Sequence, residues 1–279
     1  MMPKIRLYGF TVLRSLWRTK LGTNDRAFFL SAVALFCSIT VSAQVGEHRN
    51  DFAFGGGAGV VLDKVGFVPN VPQNYHVGPM FGATFRYTCE KYFKSICAIQ
   101  AEINYATMGW DENIMDKTDR PVVNLGTGKE EKYKRTMNYI QVPILARLGW
   151  GRENQGAQFY IVAGPQIGFF LNESTTSNFE YEDRYNVEAS NMPASQIDSM
   201  EVMPVENKFD YGITAGVGFE YSMKRLGHFA IDARYYYGLG DFYGNAKKDF
   251  FGRSNHGAIV VKLSYLFDIK KTKGWQKIK

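Results

Sequence analysis

Few side chains in this sequence have the types and spacing of a catalytic site. Ser254 and His256 stand two residues apart in the stretch RSNHG, and His76 lies far towards the N-terminus. A serine next to a histidine base is the arrangement of a nucleophilic hydrolase. Polar residues are also common at the roots of loops, where they have no catalytic role. We therefore predict that the protein is not an enzyme and keep a hydrolase at the rim of the fold as an alternative.

Two glycine-rich stretches resemble nucleotide-binding loops but lack essential parts of them. GGGAGV, from Gly55, is not followed by a helical pattern, and GTGKEE, from Gly126, has no Ser or Thr after Lys129. A phosphate loop needs spaced glycines followed by the N-terminus of a helix. The four histidines lie far apart in sequence, which is not the spacing of a metal site. We expect no cofactor and no metal.

Charged residues occur inside stretches that are otherwise apolar. HFAIDARYYYG, from His228, places Asp232 and Arg234 among aromatic and aliphatic residues. With similar residues in other stretches, the set is Arg86, Glu102, Arg147, Glu220, Asp232, Arg234 and Lys262, four positive and three negative. Buried charges are costly unless they are paired and hydrogen-bonded. The sequence therefore predicts an ion network, provided that the surrounding elements enclose these residues.

Eight segments alternate between large apolar and small or polar residues, which is the period of β-strands. We predict strands at residues 52–62, 77–88, 98–110, 137–149, 157–171, 209–222, 228–239 and 256–268. Long, charged connections follow the first, third, fifth and seventh strands, and short turns follow the second, fourth and sixth. This alternation is typical of an outer-membrane barrel. The predicted fold is all-β, an eight-stranded antiparallel transmembrane up-and-down β-barrel.

The two faces of each predicted strand differ in side-chain volume. One face carries Phe, Tyr and Ile, and the other carries glycine, small residues and the charged set. A soluble, lipocalin-like barrel would enclose the apolar face, but an eight-stranded interior is barely wide enough for its own side chains. We therefore predict that the small and polar face lines a filled lumen. An ion or proton pathway along these charges remains an alternative. Four aromatic residues lie near strand ends, where membrane-interface girdles belong, and ordinary packing is the alternative for them; they are Tyr87, Trp110, Trp150 and Tyr221.

The N-terminus has the pattern of a secretory signal peptide. Six basic residues and one acidic residue precede an apolar run that ends in Val41-Ser42-Ala43, and this pattern predicts cleavage between Ala43 and Gln44. Removing that net charge of +5 from the total of +6 leaves +1, which is too little for a nucleic-acid surface. The predicted domains are a signal peptide at 1–43, a barrel at 44–268 and a basic periplasmic tail at 269–279.

Two cysteines remain in the predicted mature chain. Cys89 and Cys97 flank EKYFKSI, a predicted turn, and an exported protein meets an oxidising compartment. A disulfide between them is one interpretation, and two unpaired thiols on a hairpin is the other.

Several of these stretches together resemble the PorT-family outer-membrane β-barrels. The most specific are YIQVPILARL and AGPQIGFFL, supported by FAFGGGAGVVL and RYYYGLGDF. The resemblance implies an OmpA-like barrel in the outer membrane of a Gram-negative bacterium of the kind that often carries type IX secretion. The name-giving member is linked to protein secretion. One departure is that Phe267 is followed by a basic tail, whereas such barrels often end on an aromatic residue.

From this resemblance we expect an integral, non-enzymatic outer-membrane protein that assists protein secretion or envelope assembly through its loops or periplasmic partners. The expected partners are outer-membrane lipid, the barrel assembly machinery and secretion-system or other envelope proteins, with no nucleic acid. A small passive pore is the alternative function, and the rim hydrolase is a weaker one.

Overall fold

A computed structural model describes residues 47–92, 94–115, 118, 120–124, 127–152, 155–179, 203–224, 226–244 and 252–271. The predicted signal peptide, the cleavage site at Ala43 and Gln44, and most of the predicted basic tail lie outside the described residues. Within the described part of the chain, no helix has the length and hydropathy needed to cross a membrane.

The described chain forms eight long strands and one very short one. Their bounds are β1 Glu47–Val68, β2 Gln73–Asn74, β3 His76–Tyr92, β4 Ser95–Asn113, β5 Lys132–Gly151, β6 Gly156–Ser177, β7 Phe209–Met223, β8 Gly227–Gly238 and β9 Arg253–Lys270. All eight predicted strands are confirmed, and most extend beyond their predicted ends. Leu239 lies one residue past the end of β8, whereas β9 continues to Lys270.

The long strands close into a ring. Each pairs antiparallel with its neighbours in the order β1-β3-β4-β5-β6-β7-β8-β9, and β9 pairs back to β1 along almost its whole length. The short β2 pairs with the end of β4. A closed ring leaves no free edge inside a bilayer, where every backbone group must find a partner in the protein.

The outer wall is apolar and the inner wall is small and polar, as the alternation predicts. Along β7, exposed and buried residues alternate, with Tyr211, Ile213 and Val217 about half exposed on the outside. Apolar side chains of this kind form a band around the barrel that is stable in lipid. We call the end with the long connections the outer end and the end with the short turns the periplasmic end.

A cluster of aromatic residues fills the lumen at the outer end. This cluster, here called the aromatic plug, consists of Phe67, Trp110, Tyr133, Phe242 and Tyr243. The ring centroid of Trp110 lies 5.1 Å from that of Phe67 and 6.0 Å from that of Phe242. The plug closes the lumen at this end.

The predicted place of Trp110 in an outer girdle is wrong. Its side chain is 0% exposed because the even-numbered residues of β4 point inward and the strand continues to Asn113, past the predicted end. Trp150 and Tyr221 do lie on the outer surface near the periplasmic end. The side chain of Tyr87 is half-buried. It packs beside Phe52, with ring centroids 6.1 Å apart.

Two neighbouring glycines of β1 test which wall is the crowded one. A Cβ added to Gly57 would lie 2.6 Å from the carbonyl oxygen of Leu263 and 2.7 Å from Cε of Lys262, whereas one added to Gly56 meets only the carbonyl oxygen of Gly82, at 3.6 Å. We expect Gly57→Val to reduce the amount of folded barrel strongly, and Gly56→Val to leave it near the wild-type level. Heat-modifiable migration of the outer-membrane fraction measures both. Equal loss in the two variants would contradict the assignment of the walls.

Candidate functional site: the ion-filled lumen

Glu102 is the centre of the lumen network. Its side chain points inward from β4 and is 0% exposed. Oε1 accepts hydrogen bonds from Arg234 Nη2 at 2.8 Å and Gln100 Nε2 at 2.7 Å. Oε2 accepts from Lys262 Nζ and from Asn104 Nδ2, both at 2.8 Å. A carboxylate can accept about four hydrogen bonds, so the carboxylate of Glu102 has a full set of partners without water.

The cations around Glu102 have further partners. Arg234 Nε lies 2.5 Å from Asp232 Oδ1, and Tyr160 donates its hydroxyl to Asp232 Oδ2 at 3.2 Å. Lys262 Nζ also donates to Thr84 Oγ1 at 3.1 Å. We call Glu102, Asp232, Arg234 and Lys262 the central cluster. Its charges sum to zero, which is the condition for burying ions at tolerable cost.

A second cluster lies at the periplasmic end around Glu220. Both Arg86 Nη1, at 2.5 Å, and Arg147 Nη2, at 2.7 Å, contact Glu220 Oε2. Arg147 also donates to Gln158 Oε1 at 2.9 Å. Its guanidinium lies 3.6 Å from the centre of the Tyr160 ring, and Tyr160 in turn contacts the central cluster. The seven charged residues of the sequence analysis thus lie in two ion-paired groups joined through Tyr160.

His228, which the sequence reasoning did not include, completes this second cluster. Its Nδ1 lies 2.9 Å from Glu220 Oε1 and 2.7 Å from Ser222 Oγ. Its Nε2 lies 3.0 Å from both carboxylate oxygens of Asp268. The mouth cluster is therefore Arg86, Arg147, Glu220, His228 and Asp268. Strand parity could have found His228 and Asp268, because both fall on the inward positions of their strands.

Ser222, His228 and Asp268 have the residue types of a hydrolase triad. The imidazole nitrogen nearest to Ser222 also contacts Glu220, whose carboxylate is held by two guanidinium groups. Ser222 is itself buried, at 2% exposure. A nucleophile must be reachable by its substrate. The hydrogen bonds among Ser222, His228 and Asp268 therefore fit a structural role in the mouth cluster better than a catalytic one.

Ser254 and His256, the two residues of the alternative rim hydrolase, contact different carboxylates. His256 Nδ1 lies 2.7 Å from Asp63 Oδ2, and its Nε2 lies 3.3 Å from the hydroxyl of Tyr139. Ser254 donates its hydroxyl to Asp241. Among the hydrogen bonds of the described residues, none joins Ser254 to His256.

His76, the other histidine considered for the rim, contacts Asp111 at 2.8 Å. The three candidate residues are thus distributed over separate contacts. In the part of the chain that the structure describes, the hydroxyl of Ser254 contacts Asp241 and not a histidine.

Arg135 ties the aromatic plug to the barrel wall and the loops. Its Nη2 contacts Glu173 Oε2 at 2.5 Å and donates to the carbonyl oxygen of Met203 at 2.8 Å, and its Nη1 donates to the Tyr243 hydroxyl at 3.1 Å. Burial raises the pKa of the Tyr243 phenol, which keeps it in the neutral form. Strands and connections at the outer end are therefore joined through one guanidinium group.

Of the two interpretations of Cys89 and Cys97, the structure has the one with two free thiols. The pairing of β3 with β4 is irregular between Thr88 and Glu90, and Cys97 lies opposite Glu90 rather than Cys89. Cys89 Sγ instead contacts the carbonyl oxygen of Tyr87 at 3.7 Å. Within the described ranges there is no group of three or more His, Cys, Asp or Glu side chains suited to a metal ion.

Two carboxylates of the central cluster differ in how many partners each one holds. Glu102 accepts from four donors, whereas Asp232 contacts Arg234 and Tyr160. Removing one partner of a buried ion pair costs about 3–5 kcal/mol. We expect Glu102→Leu to lower the free energy of unfolding by about that amount, and Asp232→Leu to lower it by less.

Urea unfolding in detergent or lipid nanodiscs, followed by tryptophan fluorescence, measures both variants. Glu102→Gln is the matched control for side-chain volume, and we expect an intermediate loss because the amide keeps one acceptor oxygen. A loss for Asp232→Leu as large as that for Glu102→Leu would contradict the central role of Glu102.

Comparisons with known proteins agree with the ring of strands. Residues 42–244, more than half of the chain, match the family model described as outer membrane protein beta-barrel domain. No curated protein sequence matches the chain. Three solved structures illustrate the likeness at the level of architecture, with low identity and low TM-scores. They are the outer membrane protein OprG from Pseudomonas aeruginosa (15% identity, TM-score 0.38, covering 80% of this chain and 98% of that one), the attachment invasion locus protein Ail of Yersinia pestis (13%, 0.32, 79% and 99%) and Neisserial surface protein A (10%, 0.36, 77% and 97%).

The closed ring, the apolar outer wall and the family match lead to one conclusion: this chain belongs to the outer membrane protein β-barrel domain family and is located in the outer membrane.

Proposed function

We propose that this protein is a non-enzymatic outer-membrane barrel with a sealed lumen, which works through its outer end and its periplasmic partners rather than by conducting solutes. The observation that carries this proposal is the succession of three layers of contacting side chains along the described part of the barrel. These are the mouth cluster, the central cluster and the aromatic plug. A passive pore would need an open path through all three.

The cavity at the periplasmic end of the lumen is small. The cavity at the periplasmic mouth, between Arg86, Arg147, Glu220 and His228, has a volume of about 40 Å³. That is room for roughly two or three water molecules. Above it, Lys262 and Glu102 are both 0% exposed. A hydrated ion or a sugar would have to break these ion pairs to pass.

The finer proposal is that the barrel assists protein secretion or envelope assembly. It is supported by the resemblance of YIQVPILARL and AGPQIGFFL to the PorT family. It is also supported by the outer ends of β4, β5 and β6, which continue with polar outward residues past the apolar band. Because function depends on sites rather than on folds, the outer surface is the first place to look for it.

Planar-bilayer recording tests the sealed lumen directly. We expect no conductance steps from the wild-type barrel, because the ion pairs and the plug leave no aqueous path. Heat-modifiable migration of the same preparation controls for correct folding. Reproducible steps from folded protein would overturn the proposal and restore the passive-pore alternative.

A deletion strain tests the role in secretion and the absence of catalysis together. We expect lower amounts of secreted cargo in the deletion strain and recovery with the wild-type gene. Ser222→Ala and Ser254→Ala should each restore secretion as fully as the wild type, because neither hydroxyl is expected to act as a nucleophile. Unchanged secretion in the deletion strain would remove the secretion role. Failure of either variant, despite normal amounts of folded barrel, would reopen the hydrolase alternative.

A further inference from the structure

The two cysteines of the predicted mature chain meet at an irregularity of the β3–β4 hairpin. Thr88 pairs with Ala98, and the next pair towards the turn is Glu90 with Cys97. β3 therefore has one residue more than β4 in this interval, and that residue is Cys89. Such an extra residue is a β-bulge, in which two residues of one strand lie opposite a single residue of the other. Cys89 and Glu90 thus both lie opposite Cys97.

Both thiols belong to the outer wall of the barrel. Phe85 on β3 and Ile99 on β4 are exposed on that wall. Side chains an even number of residues apart on a strand point to the same side, so Cys89 continues the row of Phe85 and Cys97 continues the row of Ile99. The side chains of both cysteines are partly exposed. The two thiols therefore lie on the same side of the sheet and are open to a reagent.

The thiol of Cys89 reaches towards β4. It has a hydrogen bond with the backbone of Ile99, which lies two positions from Cys97 on the same strand. Opposite residues of antiparallel strands have Cα atoms about 4.5–5.5 Å apart, and a disulfide joins residues whose Cα atoms are about 4.4–6.8 Å apart. The register therefore brings the two cysteines to a separation that a disulfide can bridge.

Glu90 indicates that water reaches the bulge. Its carboxylate accepts a hydrogen bond from the hydroxyl of Tyr92, and its charge acts on both thiols. A carboxylate is costly inside hydrocarbon. Trp150, whose ring is exposed at the same end of the barrel, lies opposite Ser95, which is the level of the membrane interface. A periplasmic reagent can therefore approach the two cysteines.

The bulge adjoins the wall of the periplasmic mouth. Thr88 and Ala98, the pair next to the bulge, both line the cavity there, together with Ile96 and Arg86. Arg86 is also the residue of the mouth cluster that β3 contributes. A covalent bond across the bulge would join β3 to β4 beside this cavity.

We propose that Cys89 and Cys97 are a redox pair that closes into a disulfide across the β3–β4 hairpin, and that the structure has its reduced form. The co-reactant is a disulfide oxidant of the periplasm, which is an oxidising compartment. The site is additional to the proposed function and does not depend on it.

The reaction is a pair of thiol–disulfide exchanges. One cysteine loses its proton, and its thiolate attacks the disulfide of the oxidant. A mixed disulfide forms, and one sulfur of the oxidant leaves as a thiol. The thiolate of the other cysteine then attacks the barrel sulfur of the mixed disulfide, and the second sulfur of the oxidant leaves as a thiol. The two cysteines lose two electrons and two protons, and the oxidant takes up both.

Oxidation of the folded barrel by glutathione disulfide tests the proposal. We expect the reduced wild type to have two reactive thiols and the oxidised protein none, with an intact mass lower by two hydrogens. Dithiothreitol should restore both thiols. Lys91 and Lys94 lie between the cysteines, so trypsin separates Cys89 from Cys97 in the denatured protein unless a disulfide joins them. The two tryptic peptides should therefore stay linked after oxidation and separate after reduction.

Cys89→Ser and Cys97→Ser are the matched controls, because each leaves one thiol in place. In both variants the remaining thiol should stop at the mixed disulfide and carry one glutathione. Heat-modifiable migration shows that each protein is folded. A wild type that keeps both thiols, carries glutathione on both cysteines or forms its disulfide between two chains would overturn the inference.

Amide hydrogen exchange measures the effect on the mouth. The amides of Thr88 and Ala98 should exchange more slowly in the oxidised barrel than in the reduced one, because the disulfide joins the strands next to them. The oxidant should leave exchange unchanged in Cys89→Ser, which cannot form the bond. Equal exchange in the two forms of the wild type would contradict a bond across the bulge.

Discussion

The carboxylate of Glu102 holds the middle of the lumen together. Two cations and two amides converge on it from β4, β8 and β9, and it is fully buried. In a low-dielectric interior such a group fixes the arrangement of its neighbours when every partner is present and is strongly destabilising when one is missing. Buried ion pairs of this kind follow from closing eight strands into a narrow ring. The inward positions must be filled, and large apolar side chains cannot fill all of them.

The same constraint has different solutions at the two ends of the barrel. At the periplasmic end, two guanidinium groups share Glu220, and His228 connects that carboxylate to Asp268. At the outer end, Trp110 and its neighbours fill the space with rings, and Arg135 fixes the rings to Glu173 and Met203. The inward turn of residues 203–207, in which the amides of Glu206 and Asn207 donate to the carbonyl oxygen of Phe242, helps to close the outer end.

Much of this arrangement was predictable from alternation alone. Strand parity placed Arg86, Glu102 and Lys262 on the inner wall, where the structure has them. Parity did not say which cation meets which carboxylate, because that depends on the stagger between strands that are distant in sequence. Arg86 and Glu220, for example, are 134 residues apart. Trp110 was misplaced because a tryptophan near a predicted strand end is typical of a girdle, whereas β4 continues past the lipid band and turns this residue inward.

The sequence by itself determined that the fold is a transmembrane β-barrel, the number of long strands, and which face of each strand points to lipid. A period of two defines the two faces, and the narrow interior of an eight-stranded barrel cannot hold the large apolar one. Only the tertiary structure decided the partners of each buried ion, the inclusion of His228 and Asp268, and the free state of Cys89 and Cys97. These features depend on the register of neighbouring strands and on the path of the connections at the outer end. Neither is contained in the local pattern of residues, since a shift of one ladder by two residues keeps every side chain on its wall and changes every partner.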